Sequence, residues 1–148
     1  MADNLKQFLS EQNNKKFATE QGAKQHAKMQ RITIDPDAEK GDPELIARIK
    51  SKPELIPLFS SASRAEAPIA GYINGKFISR RIDRMLVNND EKSVIFLDYK
   101  TDIDKNLFRE KYIIQMNEYA TLLRSIYPEY SVSGSILWLQ DFTIDQIS

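Results

Sequence analysis

Between Ala67 and Lys100 the chain carries three runs of strand-forming residues joined by tight turns, and little else limits its fold so strongly. Ala67 to Ile73 reads as one strand and Asn74-Gly75 as a two-residue hairpin turn, with Lys76 to Val87 returning as its partner. Asn88-Asn89-Asp90 turns the chain again into Ser93–Lys100, whose Val94-Ile95-Phe96-Leu97 run suits a strand covered on both faces. The period then lengthens. Leu107 to Tyr127 reads as a long helix stopped by Pro128, and Val132 to Leu139 as a fourth strand.

Upstream of this block, residues from about Asn4 to Arg31 are rich in Lys, Gln, Glu and Ala and read as helical. Asp35-Pro36-Asp37 and Glu39 to Pro43 form a turn-rich joint. Pro43 and Glu44 then open a short amphipathic helix through Leu45, Ile46 and Ile49, and Pro53 starts another that reaches Phe59. The expected fold is α/β: a mixed central sheet, made of a three-strand antiparallel meander plus a further strand, flanked by helices. One domain is expected over 1–148, with an N-terminal helical part over 1–62 and an α/β core over 63–148.

Composition removes several kinds of chemistry. With no cysteine among 148 residues, disulfides, thiolate zinc sites, iron–sulfur clusters and a cysteine nucleophile are excluded. There is no Gly-x-x-x-x-Gly-Lys-Ser/Thr loop, so no nucleotide cofactor is expected by that route. No apolar run approaches membrane-spanning length, and the first residues lack a signal peptide's apolar core, so a cytoplasmic location without membrane association is expected. The formal net charge is 0, which lends no bulk support to nucleic-acid binding and requires local basic patches or a metal to offset phosphates.

Chemistry is suggested first by Asp98-Tyr99-Lys100, where an apolar strand stops. Strand alternation sends Asp98 and Lys100 to one face and Tyr99 to the other. A carboxylate and an ammonium leaving a strand end together suit a hard cation and a reacting phosphate; a solvated Asp–Lys pair is the plain alternative. Asp83 lies one strand earlier, and alternation assigns it to the face of Met85 and Val87, an apolar side where a lone carboxylate is costly. Either a cation lies beside it or Arg81 or Arg84 pairs with it. Two carboxylates converging beside a lysine repel unless a positive charge intervenes.

Other residues join the list. Phe108, Tyr112, Gln115, Tyr119, Leu122 and Ile126 share a helical stripe, with Gln115 its odd polar member: a core amide, or an amide and phenol addressing a ligand over the sheet. His26, the only histidine, shares a helical face with Gly22, where glycine costs about 1 kcal/mol against alanine and is explained by a close approach. Glu66 opens the first strand as a water-bridged metal contact, an acid near substrate or a polar strand start. Lys76, Arg80, Arg81 and Arg84 form the densest basic cluster, either a solvated face or a set of phosphate contacts.

Together these residues resemble the PD-(D/E)XK nuclease superfamily, in its RecB-like branch. The residues carrying the likeness are Arg64 to Gly71, Arg81-Ile82-Asp83-Arg84, Phe96 to Thr101, the helix with Gln115 and Tyr119, and Gly22-x-x-x-His26. Within the branch they look most like the C-terminal nuclease domain of AddA-type helicase–nucleases of double-strand break repair. The resemblance implies the restriction-endonuclease-like core and a Mg²⁺- or Mn²⁺-dependent deoxyribonuclease acting on single strands or DNA ends. It implies His26, Asp83, Asp98 and the backbone carbonyl of Tyr99 as metal ligands, and Lys100 as the catalytic lysine. Gln115 and Tyr119 would organise the site and contact DNA, with Arg80, Arg81 and Arg84 as further DNA contacts and Glu66 in a less defined role. Implied partners are DNA, a helicase motor and the second nuclease subunit of an AddAB-type complex.

Two departures stand out: Arg80 occupies a place where the family usually has glycine, and these 148 residues do not include the ATP-driven motor behind which the family domain ordinarily sits. A nuclease-fold module that binds DNA or a partner subunit without cutting is the rival reading, and a restriction or RNA-processing enzyme of the same fold is a third.

Overall fold

The computed structural model describes residues 20–101 and 105–147. It is a mixed α/β domain. In chain order the elements are α1 (Glu20–Gln30), β1 (Thr33–Asp35), β2 (Ala38–Lys40), α2 (Pro43–Lys50), a 3₁₀ helix (Pro53–Phe59), β3 (Arg64–Ile73), β4 (Lys76–Asn88), β5 (Ser93–Lys100), α3 (Lys105–Ile126), β6 (Ser131–Trp138) and β7 (Thr143–Gln146). The helical expectation over residues 4–19 lies outside the described residues. Among the described residues no helix is long and apolar enough to cross a membrane.

The main sheet has five strands in the order β3-β4-β5-β6-β7. The β3–β4–β5 meander is antiparallel, β6 returns parallel to β5 after α3, and β7 folds back antiparallel on β6. The sequence pattern predicts four strands for this sheet, and β7 is a fifth. Thr143–Gln146 is short and half exposed, so it carries no period to detect. The turn-rich joint likewise holds a small hairpin, with Thr33–Asp35 paired to Ala38–Lys40 around the expected Pro36-Asp37 turn.

Both faces of the sheet are covered, which is why β5 reads as continuously apolar. On one face α3 lays Tyr112, Met116, Tyr119 and Leu123 over Ile82, Phe96 and Ile136. On the other, α1, the small hairpin, α2 and the 3₁₀ helix bury Met29, Ile32, Ile49 and Phe59 against Leu97, Tyr99 and Leu137. Local signals start the covering helices where expected. Asp42 caps α2 by accepting hydrogen bonds from the backbone N–H groups of Glu44 and Leu45, with Pro43 in the first turn.

The β5–β6 contact leaves no slack. Phe96 lies opposite Gly134, and a Cβ built on Gly134 would stand 2.2 Å from the Phe96 ring. Gly134→Ala is therefore expected to destabilise the fold by about 1–3 kcal/mol through overpacking, read as a lower urea midpoint with unchanged slope. Unchanged stability would show that the Phe96 ring does not depend on that gap.

Candidate metal and phosphate site

The site forms where the sheet opens. The β4–β5 ladder runs from Asn88↔Ser93 to Arg84↔Leu97 and stops there, so Asp83 and Asp98 stand just past its end. Backbone groups that lose a ladder partner must find another. Here the Asp83 side chain supplies it: the Tyr99 N–H donates to Asp83 Oδ2 at 2.8 Å. In an extended strand a residue's N–H and C=O point to the same side, so the Tyr99 carbonyl is directed toward β4 as well.

The other side of Asp83 is also irregular. Ala65↔Arg84 and Ala67↔Ile82 are paired in register, while Glu66 between them has a left-handed φ of 51°. Such backbone costs a non-glycine residue about 1–2 kcal/mol and is found where surrounding contacts enforce it. Alternation slips at the same place. Ile78 and Ile82 pack toward α3, and so do Met85 and Val87, so the inward face changes from even to odd residues. Asp83 consequently does not share the face of Met85 and Val87, as simple alternation assigned it. It meets His26 of α1, on the opposite side of the sheet.

Three elements thereby converge. His26 Nε2 lies 3.2 Å from Asp83 Oδ1, and both side chains are buried. Gln30, one helical turn after His26, donates from Nε2 to Glu66 Oε1 and to His26 Nδ1, the latter at 3.0 Å. With Gln30 as donor at Nδ1, a neutral His26 carries its hydrogen on Nε2, facing Asp83. Ligand atoms of His26, Glu66 and Asp83 all lie within 4.8 Å of one another, a spacing that suits one metal ion. The donor set, one imidazole nitrogen and carboxylate oxygens, fits Mg²⁺ or Mn²⁺ better than a thiophilic ion.

Asp98 and Lys100 lie on the α3 side of β5. Lys100 Nζ stands 2.7 Å from Asp98 Oδ2 and donates to Gln115 Oε1 at 2.8 Å. It also sits 4.6 Å from the centre of the Tyr112 ring. Gln115 Nε2 in turn donates to the Tyr119 hydroxyl at 2.8 Å. The polar residue on the helical stripe is thus the link between lysine and phenol. Burial pushes the Tyr119 hydroxyl well above its ordinary pKa, and the Asp98 and Asp83 carboxylates add to the effect. It remains a neutral phenol that accepts from Gln115 and still carries a hydrogen.

Of the expected metal ligands, His26 and Asp83 come together and Glu66 joins them, while Asp98 is directed to Lys100. Gly22 lies within α1, and what packs against it is outside the described residues. Gln30 was missed, although its i+4 spacing from His26 on an amphipathic helix was readable.

The arginines divide. Arg81 is exposed, with Nη1 4.0 Å from Glu66 Oε2. Arg80 Nε donates to the buried Glu118 of α3 at 2.7 Å, which accounts for a large side chain where the resembled family has glycine. Arg84 is only 4% exposed and faces inward rather than toward a DNA strand. Its Nη2 donates to the carbonyls of Met29, Gln30 and Ile32 at 3.0, 3.0 and 2.8 Å, its Nε donates to the Tyr99 hydroxyl at 3.1 Å, and the guanidinium lies over the Phe59 ring. A run of charges was read as a basic surface because nothing in the sequence distinguishes a cation that caps carbonyls.

Arg84→Met keeps most of the apolar stem but strands these acceptors. Each buried unsatisfied group costs about 1–3 kcal/mol, so a loss of more than about 3 kcal/mol is expected in equilibrium unfolding, against under 1 kcal/mol for Arg81→Met at the exposed neighbour. Equal effects would contradict the anchoring role. No protein-family model matches the chain, and no curated protein sequence matches it.

Proposed function

We propose that this domain is a divalent-metal-dependent deoxyribonuclease of the PD-(D/E)XK type, acting on DNA single strands or ends. The observation that carries this is the convergence of His26, Glu66 and Asp83 within 4.8 Å, on three elements, beside the buried Asp98–Lys100 pair. A purely structural cluster has little reason to gather carboxylates at a sheet opening, since like charges repel unless a cation lies among them. The order of elements supports the finer fold assignment. A helix bearing the histidine precedes a three-strand meander, a covering helix and a parallel fourth strand.

A bound Mg²⁺ or Mn²⁺ supplies phosphate charge neutralisation and a more acidic water. Asp83 holds two roles that keep it fixed, accepting from Tyr99 N–H and facing His26. His26, Glu66 and Asp83 would hold the ion, and Gln30, which touches both His26 Nδ1 and Glu66, would orient those two side chains toward it. Lys100 is buried on the α3 side of the sheet, where Asp98, Gln115 and the Tyr112 ring hold its ammonium. There it orients the attacking water and stabilises charge developing on the phosphate. Tyr119 offers its hydroxyl hydrogen to a phosphate oxygen. A role in recombinational break repair, with a helicase motor and a second nuclease subunit as partners, follows the resemblance.

Purified protein with Mn²⁺ or Mg²⁺ is expected to cut labelled single-stranded DNA, and chelation to stop it. Asp98→Ala and Lys100→Ala are each expected to lower the rate by at least about 100-fold. Equal activity in both variants would assign cleavage to a contaminant. The non-cutting alternative is separated by calorimetric titration. An active site binds Mn²⁺ in a manner lost in Asp83→Ala, whereas a degenerate module shows no site-specific binding to lose.

A further inference from the structure

The inward face of the β3–β4 hairpin is fully used by α3, but its other face is not. Beyond Asp83, that second face presents Arg81, Ser79 and Phe77 on β4 and Pro68, Ala70 and Tyr72 on β3, all of them exposed. The small hairpin and helices that cover Leu97 and Tyr99 do not bury these positions. Tyr72 and Phe77 are cross-strand partners at the hairpin tip, 70% and 58% exposed, with ring centres 5.5 Å apart in an edge-on arrangement. The two rings form a small contiguous apolar patch in water at the hairpin tip.

Register ties the surface to the site. Side chains on one strand face recur every second residue, so Phe77, Ser79 and Arg81 lead in line to Asp83. Six residues of strand span about 20 Å, which is no more than about six nucleotides of a stacked single strand. Arg81 lies between the aromatic pair and the carboxylates, and its guanidinium reaches Glu66 only at 4.0 Å. Lys76 is also exposed at the tip, and Arg64 at the other end of β3.

We propose that this face is a binding track for an unpaired nucleic-acid strand, with Tyr72 and Phe77 stacking on bases and Arg81 meeting a phosphate. Its direction toward Asp83 rests on the nuclease reading above. The chemistry favours this occupant over a protein partner. Every base offers a π-face and every link a phosphate, and the face sets one aromatic pair, Tyr72 and Phe77, in line with one exposed cation, Arg81. A duplex keeps its base faces stacked, so the track selects single strands.

The test is fluorescence anisotropy of a 5′-labelled oligothymidylate of about twelve nucleotides, in EDTA so that nothing is cut. Wild-type protein is expected to bind, and Tyr72→Ser/Phe77→Ser to weaken binding roughly tenfold or more, with an unchanged thermal melt because both side chains are exposed. Arg81→Gln is expected to reduce the slope of log affinity against log salt by about 0.7. The track is overturned if the double variant binds as wild type does, or if wild type does not bind. It is also overturned if the two substitutions leave oligonucleotide affinity intact and abolish self-association in sedimentation. An oligonucleotide bound through Tyr72 and Phe77 yet left uncut in Mn²⁺ supports the track and counts against the nuclease reading.

Discussion

The guanidinium of Arg84 holds α1 on the sheet, and the site depends on that docking. A helix leaves its last carbonyls without intrahelical donors and carries partial negative charge at that end. Arg84 meets both needs at the C-terminus of α1, where it donates to the carbonyls of Met29, Gln30 and Ile32. Its other contacts, the Tyr99 hydroxyl and the Phe59 ring, fix it to β5 and the 3₁₀ helix. With the end of α1 pinned there, His26 and Gln30, both within its last two turns, face Asp83 and Glu66.

That anchor and the site are adjacent in sequence, and the slip in alternation explains how. A regular strand would send Asp83 and Arg84 to opposite faces. In β4 both serve the α1 side, Asp83 toward His26 and Arg84 toward the helix carbonyls. The left-handed backbone at Glu66 and the end of the β4–β5 ladder lie at the same level of the sheet. Irregularities of this kind concentrate where a sheet must aim side chains that pleating alone would misdirect. The opening that results has a histidine–carboxylate cluster on its α1 side and a lysine–carboxylate pair on its α3 side.

How much of this was legible follows from what periodicity can encode. The β3–β4 hairpin was readable because Asn74-Gly75 carries positive φ at both residues, the backbone of a tight turn. Ser93–Lys100 was readable from its apolar run, and Asp98 and Lys100 fell on one face as alternation required. The direction of Asp83 was not, because a positive φ at a glutamate leaves no compositional mark. Arg84 was misread for a related reason: three carbonyls that accept its hydrogens are backbone, invisible in a list of side chains. The strand Thr143–Gln146 and the small Thr33–Lys40 hairpin were too short to show a period.

We propose that His26, Glu66 and Asp83, gathered where the β4–β5 ladder ends, hold one hard cation against the sheet. Anomalous diffraction from crystals soaked in Mn²⁺ tests it most directly. A single strong peak is expected among His26 Nε2 and the carboxylate oxygens of Glu66 and Asp83. A peak elsewhere, or none at Mn²⁺ concentrations that saturate binding in solution, would contradict it.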